Sequence, residues 1–442
     1  MTANTSQSEQ AGAPGQAENQ AGDQAEPAED TAVDLLEPAE GVPPLVEDAA
    51  ALSDAAARLA AGSGPVAVDA ERASGYRYSA RAYLVQLRRE GAGSFLVDPI
   101  ACGGDLSVLG DALRGVEWVL HAASQDLACL AEVGMRPDSL FDTELAGRLV
   151  GYPRVGLGPL TEHLLGVRLQ KGHGAADWSR RPLPDDWLTY AALDVELLIE
   201  LRDAVAADLE RQHKTVWAGQ EFEAVRLAPP PPPRAEPWRR TSGMHKVRRP
   251  AQLAVVRELW ESRDELAAAR DVAPGRLLPD AAIVDAALRE PAGREELIAM
   301  PVFRGRAQRR LGDRWWSAIA RARALDRTQW PAAAAQPDGP PPAHRWGDKD
   351  PAAAARLAAA RAALAGLSER TGTPVENLVT PDLVRRLCWS PPEPPDGADT
   401  VDAETVAAAL ADLGARPWQA ELAAPLLAQA LRAQPAPADE PS

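Results

Sequence analysis

Only three cysteines occur in 442 residues: Cys102, Cys129 and Cys388. They are odd in number and unclustered, which argues against a disulfide framework and a cysteine-rich zinc site and suits a reducing compartment. No apolar run approaches the ~20 residues that span a bilayer. The opening MTANTSQSEQ has neither a basic stretch nor an apolar one, so it does not read as a secretory signal. A cytoplasmic location is the expectation. Lys and Arg are absent from the first 57 residues, which hold twelve acids. Of the formal net charge of −17, only −5 belongs to the rest of the chain. The acidic balance therefore describes a tail, and a polyanionic partner is not excluded.

Composition divides the chain. Residues 1–41 are mostly Gln, Glu, Ala, Gly and Pro and are expected to be a disordered acidic tail. From 42 to 227 strand-like and helix-like segments alternate. Val66, Ala67 and Val68 form an apolar run ending in Asp69. Tyr83–Leu87 and Phe95–Val97 read as a hairpin with its turn at Arg88–Gly91, and Trp118–Leu120 as a fourth strand. Helices are expected at about 125–133, 140–150 and 159–166, and a long one from Pro184 to about Gln212, with Asp185 and Asp186 in its first turn. This is an α/β pattern with a mixed sheet. The prolines 229–233 open a Pro-rich, basic linker over 228–248. Residues 249–329 are helical throughout, 330–348 form a second linker, and 349–436 are helical again, which hints at a diverged repeat.

Four carboxylates stand where strands end or helices present a face: Asp69 and Glu71 in VAVDAE, Asp126 in HAASQDLACL, and Asp194 in TYAALDVELL. Asp69 and Glu71, two apart on a strand, share a face. Tyr190 and Asp194, four apart on a helix, do likewise. Taken singly, each has a bland reading: a strand-end acid, a helix-start acid, a core tyrosine with a surface acid. Together they form the oxygen-rich set that holds hard divalent cations such as Mg²⁺ or Mn²⁺. Two such ions are the usual machinery for cleaving a phosphodiester. The first reading is a metal-dependent nuclease.

Order, spacing and setting of these segments resemble the three exonuclease motifs of the DEDD superfamily, in the branch with a tyrosine four residues before the last Asp. LVDPI, LFDTELAGRLVGY and KGHGAADWSRRPLPDDWLTYAALDVELL look like bacterial ribonuclease D. The resemblance covers about 45–215 and implies a ribonuclease H-like exonuclease domain. It further implies stepwise 3′→5′ hydrolysis of RNA to nucleoside 5′-monophosphates by a two-metal mechanism. One ion would lie between Asp69 and Asp194 and the second mainly on Asp69, with Glu71 and Asp126 completing the site. Tyr190 would orient the attacking water, since a phenol of pKa near 10 is a poor base at neutral pH.

Residues 250–323 resemble an HRDC domain in Asp271–Pro274, Leu277–Asp280 and the Gly305/Gly312 stretch, and residues 350–435 look like a second, more diverged copy. Seven arginines against one acid over 304–323, with Trp315 and Trp316 between them, suit a phosphate backbone and stacked bases, or a solvated face over core tryptophans. Nucleic-acid contacts are therefore sought at Arg304, Arg306, Arg309 and Arg310; nearer the acids, Gln86 faces the terminal nucleotide or is an ordinary polar strand residue, His121 is a contact or, by the blander reading, a structural histidine, and the Lys171 loop contacts substrate or simply turns. His173 shares the Lys171 loop. Asp142 reads as a helix cap rather than a ligand. The expected partner is RNA with an accessible 3′ end, tRNA precursors at the family level; no membrane is expected, and no protein partner is inferable. A DNA exonuclease with the same site, or a non-catalytic nucleic-acid-binding scaffold, is the alternative.

Overall fold

The computed structural model describes residues 32–170, 172–230, 232–333, 339–396 and 398–434. The first domain is built on β3 (Ser63–Arg72), whose Val66, Ala67 and Val68 are fully buried. An apolar run covered on both faces is what a central strand requires. On one side β3 pairs antiparallel with β4 (Ala82–Glu90), and β4 pairs antiparallel with β5 (Gly93–Val97). On the other, β6 (Glu117–Leu120) and then β7 (Ser139–Asp142) run parallel to it. With β2 (Leu45–Val46) the order is β2-β5-β4-β3-β6-β7, a mixed sheet.

Two local expectations are corrected. Arg88, Arg89 and Glu90 do not turn but continue β4, and the chain reverses at Gly91, whose φ is +75°. The charges are accommodated because Arg89 donates to the carbonyls of Leu59 and Gly64, and Arg88 pairs with Glu200 at 3.1 Å. The expected start of the folded chain at residue 42 is also corrected. Residues 1–31 lie outside the described residues, but β1 (Val33–Leu35) pairs parallel with β8 (Val167–Leu169). A three-residue strand is too short to show a period, and its register rests on backbone bonds and the Asp34–Arg168 pair.

α1 (Ala49–Ala61) begins at Asp48, whose carboxylate accepts from the Ala50 and Ala51 amides, and packs on α2 (Ser107–Ala112). α3 (Leu127–Glu132) follows β6, α4 (Thr143–Val150) follows β7, and α5 (Leu157–Leu165) precedes β8. The single long helix expected from Pro184 is two helices, α6 (Asp185–Glu196) and α7 (Leu198–Arg211), broken at Leu197. α6 covers β3, β4 and β5, whereas α7 covers β3 and β6; one straight axis does not follow both parts of a twisted sheet. α8 (Thr215–Arg226) closes the domain.

Two helical units follow. The first has α9 (Pro250–Arg270), α10 (Pro274–Leu277), α11 (Asp280–Arg289), α12 (Arg294–Ala299), α13 (Arg306–Arg310) and α14 (Gly312–Ala324) around Phe303 and Trp315. The second has α15 (Trp346–Lys349), α16 (Pro351–Thr371), α17 (Val375–Leu378), α18 (Pro381–Trp389), α19 (Ala403–Asp412) and α20 (Pro417–Ala430). A constant offset relates α9–α11 to α16–α18: Pro250 to Pro351, Asp271 to Gly372, Leu277 to Leu378. Each long helix ends on a left-handed residue, Asp271 or Gly372, before a four-residue helix.

Both units dock through that corner. In the first, Asp271 accepts from the Ser79 amide at 2.8 Å, the Ala273 amide donates to the Tyr76 carbonyl, and Arg276 donates to the Gly75 carbonyl and lies 4.0 Å from the Tyr76 ring centroid. In the second, Thr373 donates to the Leu149 carbonyl at 2.7 Å. A Cβ at Gly151, where φ is +98°, would meet the Gly372 carbonyl at 1.9 Å, so glycine is required there. Trp418 stacks on Trp217 at 4.8 Å and donates to Glu221, and the second unit shares one apolar core with the first domain.

Candidate active site

The exit of β3 carries Asp69 and Glu71 on one face, toward α6, which contributes Tyr190 and Asp194 one turn apart. One oxygen each from Asp69, Glu71 and Asp194 lies within 4.8 Å of the others. β6, parallel to β3, delivers Asp126 through a short 3₁₀ turn, Ala123–Gln125. Asp126 stands in the cap position of α3 but its side chain makes no capping bond there. It is instead turned toward Arg72, with Oδ1 3.5 Å from Nη2. All four acids, Arg72, His121 and Tyr190 line one cavity of about 270 Å³.

Such crowding is expensive for charge. Burial is the largest cause that raises each of the four carboxyls, and Asp69 is pushed up to about 6. For Glu71, burial and then repulsion from Asp69, Asp194 and Asp126 raise it to about 10. Burial and the Asp69 charge raise Asp126 to about 8 and hold Asp194 well above the usual carboxylate range. Tyr190 is raised above its ordinary value, first by burial and then by Asp194 and Glu71, and its hydroxyl donates to Asp194. Four acids face one guanidinium, an oxygen-only donor set with excess negative charge. That set fits a hard divalent cation, and fits a soft or nitrogen-seeking metal poorly. Asp69, Glu71 and Asp194 are placed to share one ion, and Asp126 flanks them.

The remaining candidates separate. His121 lines the cavity, but burial lowers it to about 4, so it is neutral, and its Nδ1 lies 2.9 Å from the Thr143 hydroxyl. Gln86 pairs directly across from Asp69 yet is fully buried and outside the cavity lining, which removes the surface expected for a nucleotide. Lys171 lies outside the described residues. His173, in the same loop, has Nε2 3.3 Å from Asp186, and its ring packs edge-on to Tyr190. Asp142 caps α4 and also accepts from the Ala122 and Ala123 amides, tying the Asp126 turn to β7. Arg306, Arg309 and Arg310 are exposed and, among the described residues, make no ion pair; Arg304 donates to the Ala299 carbonyl. Trp315 is fully buried and bonds Gln308, so it is a core residue rather than a platform for bases.

Sequence reasoning missed Arg72. Its signal was adjacency to Glu71, but regular alternation places it on the other face, and the cavity at the end of β3 is lined by residues of both faces, Ala70 and Arg72 as well as Asp69 and Glu71.

Residues 43–210 match a family model described as 3'-5' exonuclease, 252–319 match the HRDC domain, and 339–431 match the 3' to 5' exonuclease C-terminal domain. The last unit, expected as a second HRDC-like domain, thus has a family model of its own, although three of its helices repeat those of the first. Ribonuclease D of Nitrobacter hamburgensis is 34% identical over 264 residues, covering 58% of this chain and 67% of that one. Ribonuclease D of Acidiphilium cryptum is 34% identical over 309 residues, covering 68% and 77%. A crystal structure of a protein from Bifidobacterium adolescentis superposes with a TM-score of 0.83 at 39% identity over 90% of this chain and 99% of that one. Escherichia coli RNase D, described as an exoribonuclease involved in structured RNA processing, superposes at 0.61 and 24% identity over 84% and 98%, a likeness of fold. A 3'-5' exonuclease domain, an HRDC domain and relatives matched over two thirds or more of their length agree: the chain belongs to the ribonuclease D family.

Proposed function

We propose that this protein removes nucleotides one at a time from the 3′ end of RNA, with tRNA precursors as its substrates and Mg²⁺ or Mn²⁺ held by Asp69, Glu71, Asp126 and Asp194. The observation that carries this reading is the convergence of Asp69, Glu71 and Asp194 oxygens within 4.8 Å in a cavity that Tyr190 also lines. Two such ions would supply charge to activate a water and to stabilise the leaving 3′-oxygen. The chain's own groups do the rest. Tyr190, held protonated, gives its one O–H to Asp194 and keeps its oxygen lone pairs at the cavity wall, where they can accept from the water and orient it. It does not take the proton. Neutral His121 adds no charge to repel or attract a phosphate. Exposed Arg306, Arg309 and Arg310 offer the RNA body a screened, sequence-independent attraction. The three unpaired cysteines among the described residues suit a cytoplasmic setting.

The test is digestion of 5′-labelled single-stranded RNA with Mg²⁺ or Mn²⁺, beside matching DNA and a tRNA precursor. A ladder shortening stepwise from the 3′ end, absent in Asp69→Ala and Asp194→Ala, supports the reading. Preference for DNA, or RNA binding without cleavage, overturns it.

A further inference from the structure

Arg72 has no role in the site as described so far. It follows Glu71 on β3, where alternation would turn it to the opposite face. The pairing is irregular there, since Glu71 pairs with Leu84 and Arg72 with Ala82, and Arg72 lines the cavity at the strand's exit.

Four features of the guanidinium stand out. Among the described residues lining the cavity it carries the sole permanent positive charge, because His121 is held neutral. Its contact with Asp126 is lopsided: the acid side chain is 8% exposed and the Arg72 side chain 28%, so the arginine is more open to solvent than the acid it faces. That contact, at 3.5 Å, is longer than the roughly 2.7–2.9 Å of a charge-assisted hydrogen bond. Among the described residues Arg72 donates no hydrogen bond, although a guanidinium has five N–H donors in a planar fork. A residue needed only as a counter-charge would be better placed with its fork on the carboxylate. A fork aimed into the cavity matches the paired oxygens of a phosphodiester.

We propose that Arg72 binds the phosphodiester of the terminal nucleotide, and that it competes with divalent cations for Asp126. This rests on the RNA exonuclease reading. The two parts have opposite signs. Removing the guanidinium frees Asp126 and lowers the positive charge near Asp69 and Glu71, so cation affinity rises. The same change takes away a phosphate contact, so RNA affinity falls. A purely structural counter-ion would give the first effect without the second.

The experiment compares wild type with Arg72→Ala and Arg72→Lys, each checked for an unchanged melting midpoint. Mg²⁺ binding is measured by calorimetry without RNA, and kcat and KM on 5′-labelled RNA at saturating Mg²⁺. Arg72→Ala should bind Mg²⁺ several-fold more tightly and raise KM about tenfold or more, the size of a lost hydrogen bond to a charged group. Arg72→Lys, which keeps the charge but not the fork, should leave Mg²⁺ affinity near wild type and still raise KM. An unchanged KM in both variants overturns the phosphate contact. Weaker Mg²⁺ binding in Arg72→Ala overturns the competition and makes Arg72 a positioning residue for Asp126. Should Arg72→Ala fail to fold, the KM of Arg72→Lys decides alone. Failure of wild type to digest RNA would overturn the underlying reading, and is seen in the control lanes apart from any variant.

Discussion

Asp69 and Gln86 face each other across the β3–β4 ladder, and the Gln86 amide, fully buried, has no hydrogen-bond partner for its nitrogen or its oxygen among the described residues. A buried orphan donor or acceptor costs on the order of 1–3 kcal/mol. Gln86→Leu keeps the volume and removes both orphans, so it should raise stability by about 1–3 kcal/mol in chemical denaturation. A lower midpoint instead would mean that the amide is engaged in solution, behind the Asp69 carboxylate.

Glu71 sets a pH dependence whose sign follows from its displacement. Its carboxyl titrates near 4.5 when unfolded and is pushed up to about 10 in the fold. Between those values the folded chain keeps a proton that the unfolded chain has released, so this contribution to stability is full below the unfolded value and is lost as pH rises toward the folded one. Thermal denaturation in EDTA should show a falling midpoint from about pH 5 to pH 9. Glu71→Gln should flatten the slope, and Mg²⁺ should recover the midpoint at the alkaline end, because the ion binds the folded chain. A wild-type midpoint that rises over this window in EDTA would contradict the assignment.

Tyr190 should act through position and not through ionisation. Burial and the neighbouring acids hold its phenol protonated. Tyr190→Phe removes the hydroxyl and keeps the ring, so kcat should fall about a hundredfold, the scale of a misplaced reactant, with little change in Mg²⁺ affinity. The pH–rate profile of wild type should show no limb due to the phenol. Loss of Mg²⁺ binding in Tyr190→Phe would make the residue a support for Asp194 alone.

Asp271 couples the first helical unit to the loop that follows the acid-bearing strand and to the start of β4. Its carboxylate accepts from the Ser79 amide and, at 3.4 Å, from the Tyr83 hydroxyl, while its backbone stands at φ +47°. Asp271→Gly removes the carboxylate but eases the backbone; Asp271→Ala removes it and adds left-handed strain of about 1 kcal/mol. Hydrogen exchange over residues 73–83 should rise in both, and the melting midpoint should fall further for Ala. Unchanged exchange in both would show that the loop is held without this contact.

How legible this was in the sequence depends on the range of the forces involved. The acids and Tyr190 could be read because strand and helix periods fix which neighbours share a face, as with Asp69 and Glu71 or Tyr190 and Asp194. The mixed sheet was readable for the same reason. Arg72 was hidden because strand alternation assigns it to the other face, whereas the cavity at the exit of β3 takes in residues of both faces. The break at Leu197 was hidden because it answers to the sheet beneath and not to a proline or glycine. The strand at Val33–Leu35 was hidden because its partner, Val167–Leu169, lies across the whole domain in sequence. Of the two readings of Gln86, a nucleotide contact or a polar strand residue, the sequence could not choose, because what decides is the packing of α6 over β4, which buries it.

The repeated corner at the end of α9 and of α16 separates shape from address. The backbone is the same twice, a long helix, a left-handed residue and a short helix, yet one copy grips the loop beyond the acids and the other the end of α4. The difference is carried by a few side chains: a carboxylate and a guanidinium in the first, a glycine and a hydroxyl in the second. A corner of this kind is thus one backbone form fitted to two sockets. In the second unit the corner is reinforced by Trp418 on Trp217 and by the shared apolar core, so shape recurs while the address is written elsewhere.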